Sequence, residues 1–158
     1  MAVASSFEEQ QLVALARAAT AVGLDYVVIG NASAALQGAP IMTQDIDLFV
    51  RDTKRNQEKI AQLAVQLRGT CDQPFLPTSN MFRIRTADAI VDCVLRLSSG
   101  QRFESVRSRA VEIELGSHKL RVAALADVIA QKEAAGRDKD RAVLPILRAT
   151  LKARAKLR

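Results

Sequence analysis

The sequence predicts an α/β domain of the α+β kind, a sheet backed by helices, and three observations carry that expectation. Short apolar runs of β type alternate with longer segments of helical periodicity. Two pairs of strand-like runs are separated by short turn segments, as in hairpins. The chain has 158 residues, the size of one domain around one core. A single domain is therefore expected over 1–158, with its core over about 5–147 and a basic tail over 148–158.

Ser6-Phe7-Glu8-Glu9 matches a capping box, and Leu12, Leu15, Ala16, Ala19 and Val22 follow at helical spacing until Gly23 stops the run. Tyr26 to Ile29 is a short apolar strand. Gly30 permits a tight turn, and Asn31 can cap a helix over Ala32 to Gln37. Thr43 to Val50 reads as the next strand. Asp52 or Thr53 can cap a helix whose buried stripe is Ile60, Leu63, Ala64 and Leu67 and which Gly69 ends, with Lys54, Arg55 and Lys59 on a solvated face. Thr70 to Ser79, with Pro74 and Pro77, is a loop that can open with a short strand.

Met81 to Thr86 and Ala89 to Leu95 pair across Ala87-Asp88. Arg96 to Ser108 is polar, with a loop at Ser98-Ser99-Gly100 and Phe103 as an anchor. Arg109 to Leu115 and Lys119 to Val122 form a hairpin across Gly116-Ser117. Ala124 to Ala135 is a helix burying Leu125, Val128 and Ile129, and Gly136 ends it before Arg137-Asp138-Lys139-Asp140 opens another. Pro145 predicts a kink or a late start in that last helix. Lys152, Arg154, Lys156 and Arg158 spread charge around a frayed, solvated end.

The stretch from Tyr26 to Val50 carries the chemistry. Asp45 and Asp47 are two apart in a β-type run, so both carboxylates leave one face while Ile46 and Leu48 enter the core. Adjacent like charges on one face repel, and each is costly to desolvate; a divalent cation removes that penalty. Backbone N–H groups at the turn after Gly30 can take phosphate. A phosphate cradle beside a metal-binding carboxylate pair is what in-line displacement at phosphorus needs. Asp92, alone between Val91 and Cys93, has two readings: a third carboxylate of this site, or one half of a salt bridge to Arg83 or Arg85 on the neighbouring strand.

Composition narrows the partners. The formal charge of +6 favours an anionic partner, and no long apolar run favours a membrane. Five Phe, one Tyr and no Trp exclude a surface that reads bases chiefly by stacking. Cys71 and Cys93 lack metal-ligand spacing and no signal peptide is recognised, so a reduced, cytoplasmic protein is expected, with Cys93 as core filler. His118 is the only histidine, next to a Gly-Ser turn and without an expected catalytic role. Carboxylate oxygens are then the natural ligands, which favours Mg²⁺ or Mn²⁺.

Gly30-Asn31, the short helix, and Thr43-x-Asp45-Ile46-Asp47-Leu48 resemble the signature of the DNA polymerase β-like nucleotidyltransferase superfamily, and its small bacterial AbiEii-type toxins and minimal nucleotidyltransferases above all. Two positions depart from the pattern: Asn31 stands where a second Gly or a Ser is usual, and Ile41 where many relatives carry Arg. The stretch Lys132-x-x-Ala-Gly136-Arg137-x-x-Asp140 resembles a second signature of the AbiEii-like branch. The resemblance implies the nucleotidyltransferase fold, a mixed and mostly antiparallel sheet with the site at its open edge. It implies Asp45, Asp47 and Asp92 as metal-binding and catalytic carboxylates, and Gly30, Asn31, Ser33 and Thr43 at the nucleotide. Lys132 would contact the triphosphate, with Arg137 beside it and Asp140 orienting one or the other.

The expected activity is metal-dependent transfer of a nucleoside monophosphate from an NTP to a hydroxyl acceptor, with release of pyrophosphate. The resemblance and the basic surface together point to RNA, the 3′ end of tRNA, and a toxin-antitoxin setting. Modification of a partner protein by an antitoxin-like enzyme is one alternative. A catalytically inactive nucleotide-binding regulator, motivated by Asn31 and Ile41, is another. A cationic aminoglycoside-type acceptor is disfavoured because it would prefer an acidic cleft.

Overall fold

The structure, a computed structural model, describes residues 6–43, 45–72 and 80–157. Gln44, the side chains of Ser6 to Glu8, and residues 73–79 of the expected loop lie outside the described residues, so the capping box at Ser6 is not among the features below. Thirteen elements follow in chain order: α1 (Ser6–Val22), β1 (Tyr26–Ile29), α2 (Gly30–Leu36), β2 (Asp45–Val50), α3 (Lys54–Gln66), β3 (Thr70–Asp72), β4 (Met81–Arg85), β5 (Ile90–Val94), α4 (Phe103–Arg109), β6 (Val111–Leu115), β7 (His118–Val122), α5 (Leu125–Ala135) and α6 (Asp138–Lys156).

The strands form one seven-stranded sheet in the order β3-β4-β5-β2-β1-β7-β6. Its pairings are antiparallel except β1 with β7 and β2 with β5, which are parallel. Strand alternation divides the apolar residues between two layers. Val28, Ile46, Leu48, Val50, Ile84, Val91, Cys93, Leu120 and Val122 face α1 and α3, meeting Leu12, Leu15, Ala19, Ile60, Leu63 and Ala64. Val27, Ile29 and Phe49 face the other way, onto Ala34 of α2, Phe103 and Val106 of α4, Val128 and Ile129 of α5, and Leu144 and Leu147 of α6. Cys93 is fully buried, as a core residue should be. No helix among the described residues is long and apolar enough to cross a membrane.

Several local expectations change. Phe103–Arg109 is a helix, where the sequence reads as loop running into a strand at Arg109. Phe103 and Val106 are buried one turn apart, Glu104 lies in the first turn and Arg107 and Arg109 in the last, which suits the helix dipole. The helix α6 starts at Asp138 and continues through Pro145 to Lys156, so there is no late start, and the expected 148–158 tail is mostly helix. Thr53 does cap α3, its side chain accepting from the Asn56 N–H.

The end of α3 assigns Gly69 a different task from the one its sequence implies. Arg68, with φ 57°, takes the left-handed position that glycine usually fills. Gly69 is required by contact instead: a Cβ there would lie 2.6 Å from the Arg85 carbonyl oxygen on β4. Gly69→Ala is therefore expected to destabilise the fold by ~1–3 kcal/mol, in the range of overpacking penalties. A denaturant midpoint unchanged from wild type would contradict this close approach.

Candidate active site

The antiparallel pairing of β1 with β2 sets Ile29 opposite Asp47, and the parallel pairing of β2 with β5 sets Asp47 opposite Asp92. Asp45 lies one same-face step earlier, opposite Ile90. The carboxylates thus share the face that α2, α5 and α6 cover only in part. Asp45 is exposed, Asp47 is half-buried and Asp92 is buried. Burial pushes the Asp47 carboxyl up to about 6; the charges of Asp92 and then Asp45 add to this, and Lys132 and Lys139 pull it back.

Gly30 begins α2 at φ 68°, and a Cβ there would come within 3.0 Å of Asp47 Oδ2. The turn is thus held against the carboxylate, at the one residue type without a side chain in the way. Asn31 does not cap α2. The cap position falls on Ile29, and Asn31 lies within the first turn with its Oδ1 buried and unpartnered among the described residues. Ser33 is fully buried, and its hydroxyl donates to the Ala123 carbonyl at 2.7 Å. Gln37, which sequence reasoning passed over, donates to the same carbonyl at 2.7 Å and to Ser33 O at 3.1 Å. Ser33 is a strut beneath the turn, not a group presented at the edge. Thr43 Oγ1 donates to the Asp45 carbonyl at 2.9 Å, fixing the entry of β2. Ile41 packs against the second core layer.

The turn between α5 and α6 supplies the cationic wall. Gly136 ends α5 at φ 61°. Asp140 is fully buried and binds Arg137 Nε at 2.7 Å and Lys132 Nζ at 3.5 Å. Burial pushes its carboxyl up, but hydrogen bonds from the side chain and backbone of Arg137, and the charges of Arg137 and Lys132, more than offset this and hold it below the usual range. Asp140 thus orients both cations. Lys132, Lys139 and Arg137 all act electrostatically with Asp47.

Asp92 makes the salt bridge that one of its two readings expects. It stands beside Asp47, and Arg83 of β4, opposite it in register, grips it with Nε on Oδ1 at 2.8 Å and Nη2 on Oδ2 at 3.0 Å. Arg85 instead binds Asp72 at 2.9 Å. Among the described residues no three His, Cys, Asp or Glu side chains gather into a metal-holding group, and of the three expected carboxylates Asp92 is the one already paired with a cation. Asp45 and Asp47 still suit a hard cation. They are oxygen donors on the central strand β2, not at an open edge of the sheet as expected, with Asp45 exposed and Asp47 half-buried, and Mg²⁺ is commonly held by one or two carboxylates plus substrate phosphates and water. A separate cavity of about 450 Å³ on α1, lined by Glu9, Gln10, Val13, Ala14 and Arg17, contains none of these residues.

No protein-family model matches the chain, and no curated protein sequence matches it. Solved structures do. A protein of Thermotoga maritima assigned as a nucleotidyltransferase is 18% identical with a TM-score of 0.69, the match covering 99% of this chain and 97% of that one. The enzyme ANT(2″)-Ia, solved with adenylyl-2″-tobramycin, is 13% identical with a TM-score of 0.67, over 95% and 92% of the two chains. The lincosamide antibiotic adenylyltransferase LnuA, solved with lincomycin, is 10% identical with a TM-score of 0.63, over 94% and 98%. The chain has the nucleotidyltransferase fold. It is similar over nearly its whole length to small members of that class.

The strain at Asp47 is measurable. A carboxyl raised in the folded state is penalised where both states are ionised, above pH 6, and carries no penalty where both are protonated, below its ordinary value of 3.8. Asp47→Asn should therefore stabilise the protein by ~1–3 kcal/mol at pH 7–8, with the gain fading towards pH 4. Equal melting temperatures of variant and wild type at pH 7.5 in chelator would count against the crowded-carboxylate geometry.

Proposed function

We propose that this protein transfers a nucleoside monophosphate from an NTP to a hydroxyl acceptor and releases pyrophosphate. The single observation that carries this reading is the register that sets Asp47 beside Asp92, with Gly30 against the Asp47 carboxylate and Lys132 and Arg137 opposite. The superfamily fold supports it.

Asp45 and Asp47 would hold Mg²⁺ or Mn²⁺, which when bound screens the triphosphate and polarises its α-phosphoryl group. The missing side chain at Gly30 lets the turn lie against the Asp47 carboxylate, so its backbone would adjoin phosphates drawn to a cation there. The Asn31 carboxamide stands beside it to contact the nucleotide. Lys132, anchored by Asp140, faces the charge that builds on the departing pyrophosphate. Arg137 shares that anchor and adds to the same wall. Thr43 sets the position of Asp45. Asp92, bound through both oxygens by Arg83, would take the proton of the acceptor hydroxyl on giving up one of those bonds.

For the acceptor we favour RNA, the 3′ end of tRNA, in a toxin-antitoxin role of the AbiEii-like kind. Arg141, Arg148, Lys152 and Lys156 are exposed on α6 and fall on one side by the helical period, running away from the cationic wall at Lys132 and Arg137. Phosphates bound along this stripe would give salt-sensitive, sequence-independent affinity. A second reading, a small antibiotic acceptor, is favoured by the full-length similarity to ANT(2″)-Ia and LnuA.

Transfer of α-labelled NTPs, one base at a time with Mg²⁺ or Mn²⁺, onto total RNA, total cell protein and an aminoglycoside and lincosamide panel tests these readings together. Label is expected in RNA, and Asp45→Asn or Asp47→Asn should lower its incorporation at least ~10²–10³-fold, as removal of one electrostatic stabiliser does elsewhere. Label only in protein or only in an antibiotic would replace the acceptor. NTP binding without transfer to any of them would leave a nucleotide-binding regulator in place of the enzyme.

A further inference from the structure

One rung of the sheet runs Ile29–Asp47–Asp92–Arg83–Asp72 across β1, β2, β5, β4 and β3. Beyond Ile29, charge alternates along it except at one place, where Asp47 and Asp92 are neighbours of like sign. Arg83 answers that defect. Both of its hydrogen bonds go to Asp92, one to each oxygen, at 2.8 and 3.0 Å. The Asp92 side chain is only 8% exposed. Asp72, the other acid opposite Arg83 in register, is hydrogen-bonded to Arg85 at 2.9 Å, so Asp92 holds the Arg83 guanidinium with little competition.

We propose that Arg83 is the resident cation of the third carboxylate, so that the site accepts one divalent ion, at Asp45 and Asp47, and Asp92 is not a metal ligand. This rests on the reading of the site as nucleotide- and cation-binding. A guanidinium stays charged at any working pH, and its planar fork matches a carboxylate with two strong bonds. A divalent ion at Asp92 would have to break at least one of them and then sit beside a fixed positive charge. Asp45 and Asp47 have no such competitor: no described side chain forms an ion pair with either. Arg83 is thus a positioning residue. It pairs the Asp92 charge directly, while the repulsion of Asp92 on Asp47 persists, and it fixes the orientation of the Asp92 carboxylate.

The test is Mn²⁺ binding to the full chain, read by the paramagnetic resonance of free Mn²⁺, alone and with a non-hydrolysable ATP analogue. Wild type is expected to bind one Mn²⁺ per chain. Asp92→Asn should change that affinity less than about twofold, whereas Asp47→Asn should weaken it ~10-fold or more, the scale of lost metal-site partners. Arg83→Gln should gain a second Mn²⁺, and Arg83→Lys, which keeps the charge, should not. Two Mn²⁺ per wild-type chain, or a tenfold loss in Asp92→Asn, overturns the proposal. If Arg83→Gln fails to fold by circular dichroism, the Asp92→Asn comparison still decides. Wild type that binds neither Mn²⁺ nor the analogue would instead overturn the reading of the site itself.

Discussion

The parallel pairing of β2 with β5 is the constraint on which the site depends. Parallel strands cannot be joined by a tight hairpin and need a long connection; here that connection is α3, β3 and β4, which adds α3 to the core layer of α1 and builds the β3–β4 side of the sheet. The register it fixes sets two acids, Asp47 and Asp92, side by side. A slip of one residue would turn both towards α1 and α3 and bring Ile46, Leu48, Val91 and Cys93 out of the core. The hydrophobic layer thus enforces an electrostatically unfavourable arrangement. Stability and the acidic site are opposed at Asp47, where burial and two like charges raise the carboxyl to about 6.

Compensation comes from both sides of the pair by different means. On the β4 side a guanidinium binds Asp92 directly, through two bonds and in register. On the helical side the cations stay off the carboxylates: Lys132 and Arg137 are fastened to the buried Asp140 and act on Asp47 only through space. A direct bond would block Asp47, whereas a cation fastened elsewhere leaves its oxygens open to a ligand. This division leaves the oxygens of Asp45 and Asp47 without a direct ion-pair partner among the described residues and those of Asp92 with one.

Much of this was legible in the sequence because it rests on short-range patterns. Period-two alternation placed Asp45 and Asp47 on one face, and the lone Asp92 between Val91 and Cys93 announced that something must compensate it. What was not legible depends on pairing across distance. Nothing local tells whether Asp92 meets a metal or Arg83; only the β4–β5 register decides it. The resemblance put Ser33 at the nucleotide, yet the β7–α5 connection supplies the carbonyl its hydroxyl serves. Gly69 looked like a helix stop, but its need comes from Arg85 on a strand reached only through the fold. The short α4 was missed because two buried positions, Phe103 and Val106, give too little periodicity to separate helix from loop.

The last helix ties the two walls of the site together. Near its N-terminus, Asp140 gathers Lys132 and Arg137. Towards its C-terminus, Arg154 Nη1 donates to the Gln37 carbonyl at 2.7 Å, at the end of α2. Gln37 and Ser33 in turn bind the Ala123 carbonyl, where β7 turns into α5. Continuous polar contact therefore runs from the end of α6 through α2 to the start of α5. The helix α2 that follows Gly30, the Asp140 cluster and the basic stripe are in this way linked through polar contacts to α6. The Pro145 position shows how strongly packing holds it: a residue that removes one helical hydrogen bond is tolerated between the buried Leu144 and Leu147. The helix that carries the exposed basic side chains thus contacts both the end of α2 and the cations at the end of α5.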